Sequence, residues 1–463
     1  MTLQPKGDRR QGILPFVLKL AEREDVTARA GLPLVVETNR ALRLDVEARA
    51  LFGEPKRRGD YGAAEQLETL ATLIAAGGDR VQDILILSED KGLMRLMGRP
   101  FASPDALLDF LHSFHDPACW ADRPAGKKAF VPPESKKLET LAALNRTLVL
   151  RTADPSSTVA TIDHDGTIIE AHKDGALMAY EGTRGYQPLV AAWAEEQLIV
   201  ADEFRDGNVA GGEDPLSSAK RAFESLPAAV TERYFRADSA AYYAPLLKYL
   251  VDERVGFAIS ADMSKQLRER CEALPADAWM LMEKRETESV ELAEVEFEPD
   301  NWPKDAEPLR YVALRFTPLQ RDLLEGKTVR HHAVVSNRRE LTAAELIEWH
   351  RGKAGTIEHV HRVLKSELGA GIMPCQKFGA NAAWFRINVL TFNLLTALKR
   401  LALPERYRLA RPKRLRFEVF TLPAKLAVHE SQLSVQVSAA EERLEQIVEA
   451  RRRLLRTLEA APS

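Results

Sequence analysis

Four acidic side chains are spaced as a metal-dependent reaction would need them: Asp163 and Asp165 in "TIDHDGT", Asp238 in "YFRADSAAYY", and Glu358 in "GTIEHVHRVLKSELGAG". On a strand, residues two apart point to one face, so Asp163 and Asp165 share a side. Two like charges there repel unless something positive stands near them. An alternative is a strand that simply ends in an Asp-Gly turn. Asp238 closes a second predicted strand, where α/β folds place ligand-binding groups. It could instead cap the following helix, but Ser239 beside it is expected to take that role. Glu358 falls on a helix whose apolar stripe is Ile357, Val360, Leu364 and Leu368, with Arg362 and Lys365 on the adjoining face. An i,i+4 surface pair of Glu358 with Arg362 is the plainer alternative. Taken together, three carboxylates supply the oxygen ligands that Mg²⁺ prefers, with Mn²⁺ as a substitute. Two such ions about 4 Å apart can activate a water or a 3′-hydroxyl for phosphodiester transfer, and no covalent nucleophile is needed. Lys365 would then hold a phosphate as a point charge.

The elements that must position these acids read as a mixed α/β core. Residues 1–120 are helical, with "GAAEQLETLATLIAAGG" closed by Gly77 and Gly78 and "SPDALLDFLHSFHD" opened by Ser103 and Pro104. Residues 121–145 read as a Pro-rich basic linker. The core opens with "RTLVLRT" and "STVATIDHDGTIIEAH" as strands joined by a hairpin, then alternates strand and helix through residue 283. Residues 284–330 form a half-exposed β ribbon, where ten acids face three bases from Glu283 to Glu307 and a phase slip at Ala293 and Glu294 predicts a β-bulge. Residues 331–403 return to the core with a strand and then helices, opened by a capping box of Thr342 with Glu345. A basic region and amphipathic helix fill 404–463.

At 463 residues the chain is long enough for several structural units, and no apolar run approaches the roughly 18 residues that cross a bilayer. No membrane association and a cytoplasmic location are therefore expected, since the N-terminus has no secretory pattern. Cys119, Cys271 and Cys375 lack zinc-type spacing and read as reduced thiols. His331, His332, His359 and His361 likewise lack metal-ligand spacing. The net charge of −3 conceals segregation: Lys399 to Ser463 carries 14 basic and 8 acidic residues, +6, leaving −9 for the rest. Within that tail Arg411, Lys413, Arg414 and Arg416 lie close to Tyr407 and Phe417, a density that suits phosphate contacts, with a solvated basic loop as the alternative. "EPKRRGDYG" could touch DNA in the same way or serve only solubility.

Asp-x-Asp-Gly-Thr, Arg-x-Asp-Ser, and a Glu followed seven residues later by Lys, in this order, resemble the DDE transposases of bacterial insertion sequences, more narrowly the IS-thirteen-eighty group. The resemblance runs along nearly the whole chain. It implies a ribonuclease-H-like mixed-sheet core with a β-strand insertion, a helical N-terminal domain that binds DNA, and a basic C-terminal tail. It implies Asp165, Asp238 and Glu358 as the catalytic metal ligands, with Asp163 as the alternative first ligand. Related enzymes carry Tyr and Arg seven and four residues before the Glu, where this chain has Arg351 and Ala354; Arg351 or Lys353 is expected to stand in for the missing arginine. Trp384 in "GANAAWFRI" could stack on a flipped base, although a core position is the plainer reading. The implied activity is cleavage at the element's ends and joining of the 3′-hydroxyls to target DNA. The implied partners are double-stranded DNA, as terminal inverted repeats and target, and a second protomer in a synaptic homodimer, nucleoid-associated when bound. An inactive or domesticated relative that only binds DNA, and a metal-dependent nuclease without joining, are the alternatives.

Overall fold

The computed structural model describes residues 25–55, 61–124, 128–304, 306–319, 329–429 and 432–460. The basic run Lys56 to Arg58 and the first 24 residues lie outside the described residues.

β-Branched and aromatic runs punctuated by Asp, Gly and Pro build nine strands of one mixed sheet. They are β1 (Val159–Gly166), β2 (Leu189–Trp193), β3 (Leu198–Glu203), β4 (Glu232–Ala237), β5 (Gly256–Ala261), β6 (Met280–Lys284), β7 (Glu288–Val295), β8 (Arg310–Pro318) and β9 (Arg330–Ser336). Their order is β6-β7-β8-β9-β5-β4-β1-β2-β3. Strands β1, β4 and β5 run parallel at the centre, and the other neighbours are antiparallel. The expected mixed α/β class is therefore present. The acidic ribbon continues the main sheet, because β9 hydrogen-bonds directly along β5.

Three sequence expectations change here. The segment "RTLVLRT" is helical: α1 spans Lys136–Thr152, and Ser135 caps it by accepting from the Leu138 N–H. Its buried Leu138, Leu141, Leu144, Leu148 and Thr152 follow helical spacing, which outweighs the local β-branched content. No hairpin joins β1 to the next strand, since β1 pairs with β2 and β4 while Ile169–Glu170 enters a separate small sheet. There is no bulge at Ala293 and Glu294 either, because β7 stays in register with β8 from Glu288 to Val295. The alternation breaks because both faces are covered: Val290 and Leu292 pack in one core, Ala293 and Val295 in another. The irregularity in the ribbon lies between Leu281 and Glu283.

The helices that frame the sheet are α2 (Pro215–Glu224), α3 (Ala244–Asp252), α4 (Ala343–Lys353), α5 (His359–Ser366) and α6 (Phe378–Leu401). Helix α6 is buried on every side from Gly379 to Leu398, as a helix through the middle of a core must be. One continuous core joins it to the sheet residues Val190 and Ile199 and to N-terminal helical residues such as Leu70 and Leu107. Several of its buried polar groups are paired with the surrounding elements. Arg386 pairs with Asp202 at 3.0 Å and Glu134 at 2.7 Å, and Asn393 bonds the Ile199 backbone and Asn145. At the other end of the chain, Ala424–His429 and Gln432–Val437 form a hairpin with Val26–Thr27, which the sequence did not announce.

Candidate active site

Parallel pairing of β1 with β4 sets the geometry of the site. The register matches Asp163 with Arg236 and ends at His164 with Ala237, and Asp165 and Asp238 are the next residues along the two chains. Both aspartates therefore leave the carboxyl ends of adjacent central strands on the same face. Their proximity shows in the electrostatics: the Asp238 carboxyl is pushed up, first by burial and then by the negative charge of Asp165. Asp165 accepts from the Lys353 ammonium at 3.1 Å and from its own neighbour's N–H at Gly166. Lys353, expected to reach DNA, is instead the cation that balances Asp165.

Asp238 also caps the short turn after β4, accepting from the Ala240 N–H at 3.1 Å. The capping role assigned to Ser239 is thus taken by Asp238 itself, through one carboxylate oxygen.

Asp163 is fully buried, and Arg236 grips both of its oxygens, Nε at 2.7 Å and Nη2 at 2.9 Å. This is the positive group that two like charges on one strand face required. The third arm of Arg236 donates to the Trp349 carbonyl on α4, and the guanidinium lies over the Trp349 ring. Arg236 therefore links β1, β4 and α4, the elements that lead to all three candidate acids. Sequence reasoning left it out of the site. The available signal was its position two residues before Asp238, mirroring Asp163 two residues before Asp165.

Helix α4 passes into a single π turn, Ala354–Glu358, and then α5. The predicted stripe is buried, with Ile357, Val360, Leu364 and Leu368 all inside. Glu358 faces outward and has no partner among the described residues, and Arg362 bonds His359 Nδ1 at 3.1 Å in place of Glu358. Among the described residues no three His, Cys, Asp or Glu side chains gather closely enough to hold a metal ion. Asp165 and Asp238 come together, and Glu358 stands apart. The pair fits a hard cation: both carboxylates are partly buried at the ends of adjacent strands, and the charge of Asp165 adds to burial in raising Asp238.

His361, which the sequence places on the flank of the candidate catalytic face, is a neighbour of the site. It is buried, its ring is lowered to about 4 by burial, and the charges of Asp165, Lys365 and Lys353 act on it. Neither ring nitrogen has a hydrogen-bond partner among the described residues.

The remaining candidates divide. Lys365 donates to the Ile168 carbonyl at 3.1 Å and lines an open groove with Gly166, Thr167 and Tyr180. Arg351 lies 3.4 Å from Glu283, Arg411 pairs with Glu367 at 3.1 Å, and Arg414 pairs with Glu418 at 2.9 Å. Arg416 is structural, since it bonds the last carbonyls of the helix Ala63–Ala76 at Ile74 and Ala75. Lys413 is exposed. Trp384 is completely buried and its Nε1 donates to the Gly369 carbonyl at 2.8 Å, so it is a core residue that cannot stack on a base.

The family model described as "Transposase DDE domain group 1" matches residues 20–458. Among solved structures, the cryo-EM structure of a piggyBac transposase synaptic complex with hairpin DNA aligns at a TM-score of 0.46 and 11% identity, over 95% of this chain and 84% of that one. No curated protein sequence matches the chain. Among the described residues no helix is long and apolar enough to cross a membrane.

Proposed function

Since the chain belongs to the transposase DDE domain group 1 family, we propose that this DNA transposase cuts the ends of an insertion sequence of the IS-thirteen-eighty group and joins the freed 3′-hydroxyls to target DNA. The observation that supports the chemistry is that Asp165 and Asp238 directly follow the paired residues His164 and Ala237 on two adjacent parallel strands. The strand order around them, two antiparallel strands on one side of β1 and two parallel ones on the other, supports a ribonuclease-H-like core.

Asp165 and Asp238 would hold Mg²⁺, or Mn²⁺ in its place, and Glu358 would complete the ligand set by movement of the π turn. A bound ion of this kind lowers the pKa of an attacking water or hydroxyl and stabilises the leaving oxygen. The residues of the chain do the rest. Lys353 pairs with Asp165 and would yield it to an incoming divalent cation. Lys365, on the wall of the groove beside Gly166, takes a phosphate oxygen and orients the strand. Arg236 holds β1 and β4 in the register that keeps the two aspartates opposed. Exposed cations such as Lys413 add sequence-independent contacts to the DNA backbone. A homodimer that synapses two element ends would supply both active sites.

One observation favours a second reading, a relative that binds DNA without cutting it: Glu358 does not reach the aspartate pair. Alanine replacements of Asp165, Asp238 and Glu358 decide between them, assayed on labelled DNA bearing the element's ends. The transposase reading expects each variant to lose cleavage while end binding persists. Cleavage retained in all three, or absent from the unaltered protein with Mg²⁺ supplied, would overturn it.

A further inference from the structure

On another side of the π turn lies a cavity of about 280 Å³ that shares none of its lining with the groove at Lys365. Its apolar wall comes from Val360, Phe392, Leu395 and Leu415, and its cations are Lys399 and Arg411, with the His359 imidazole beside them. No Asp or Glu lines it. Arg411 has Glu367 as a partner, but Lys399 has no hydrogen bond or ion pair among the described residues. Burial, reinforced by Arg400 and Arg408, lowers the Lys399 ammonium to about 8. A largely buried cation without a counter-charge is costly, and an anion entering the cavity would remove that cost. The matching ligand has a flat apolar body for the hydrocarbon wall and one anionic group for the cations.

We propose that this cavity binds a single nucleotide unit, its base against Phe392, Leu395 and Leu415 and its phosphate between Lys399 and Arg411. The choice of a nucleotide over other amphiphilic anions rests on the DNA transposase reading. Free nucleotide and a nucleotide turned out of a DNA strand offer the same chemistry. The cavity is also walled by Gly355 and Thr356, so its occupant touches the turn that carries Glu358.

The test uses the full chain in two arms, and neither requires catalysis. In the first, dAMP, deoxyadenosine and inorganic phosphate are titrated calorimetrically. In the second, DNA carrying 2-aminopurine is titrated and its fluorescence followed. The expected result is saturable binding of dAMP, about tenfold weaker for deoxyadenosine and for phosphate alone, and weakened at least about tenfold by Lys399→Met. Arg411→Gln weakens it as well, whereas Lys248→Met on the exposed face of α3 does not. If the occupant comes only from DNA, the free nucleotide does not bind, and a 2-aminopurine signal that depends on Lys399 replaces it. Binding in neither arm, or binding indifferent to Lys399→Met, would overturn the proposal. Cleavage with an empty cavity would leave the transposase reading standing, and dAMP binding without cleavage would leave the cavity standing.

Discussion

Arg236 and Asp163 face each other in register across two parallel strands, joined by two hydrogen bonds of 2.7 and 2.9 Å, with Asp163 fully buried and Arg236 nearly so. This pair sits two residues along the same strands from Asp165 and Asp238, so the lock on the register is also the frame of the site. Removing one partner strands a buried charge. Arg236→Met and Asp163→Leu should each lower stability by about 3–5 kcal/mol, and the double replacement should recover much of that loss. Urea unfolding measures it. Single variants within about 1 kcal/mol of the parent would show that the pair does not hold the strands.

Glu358 gives the opposite expectation. It faces outward without a partner, so Glu358→Gln should change stability by less than about 0.5 kcal/mol. The same variant should lose DNA cleavage if the carboxylate joins Asp165 and Asp238 during the reaction. Thermal unfolding beside a cleavage assay separates the two effects. A variant that unfolds early would mean that Glu358 is a structural residue, and one that cleaves normally would remove it from the ligand set.

Asp206 makes a pH-dependent contribution away from the proposed chemistry. Burial pushes its carboxyl up to about 6, and Arg123, 3.6 Å away, opposes that shift only in part. Between about pH 4 and 6 the native carboxyl keeps a proton that the unfolded one has lost. Stability from this group is therefore greatest at the acid end of the window and falls by about 2 to 3 kcal/mol as pH rises through it. Asp206→Asn should flatten that part of the stability profile measured by urea unfolding at a series of pH values. An unchanged slope would contradict the assignment.

The short-range part of this architecture was legible in the sequence. Ser103 and Thr342 cap the helices they were expected to cap, and Gly77 ends the helix Ala63–Ala76 in the left-handed conformation. The aspartates on β1 and β4 were readable because acids at the ends of apolar strands need a reason. What escaped was tertiary. Arg236 meets Asp163 from 73 residues away, and nothing local announces that pairing. Strand β7 lost its alternation because helix-covered cores lie on both faces, which resembles a bulge when read in one dimension. Residues 146–152 were taken for a strand because the helix they finish begins inside a segment whose Pro and Lys content resembled a linker. The cap at Asp238 was assigned to the wrong neighbour, since Asp and Ser serve equally well and only the backbone conformation decides.

The central claim is that Asp165 and Asp238 together hold a divalent cation, and Mn²⁺ titration of the protein on end-bearing DNA, followed by electron paramagnetic resonance, tests it most directly. The prediction is saturable Mn²⁺ binding by the unaltered protein that is lost in Asp165→Asn and in Asp238→Asn while both variants stay folded and DNA-bound. Mn²⁺ bound with undiminished affinity by both variants would contradict it.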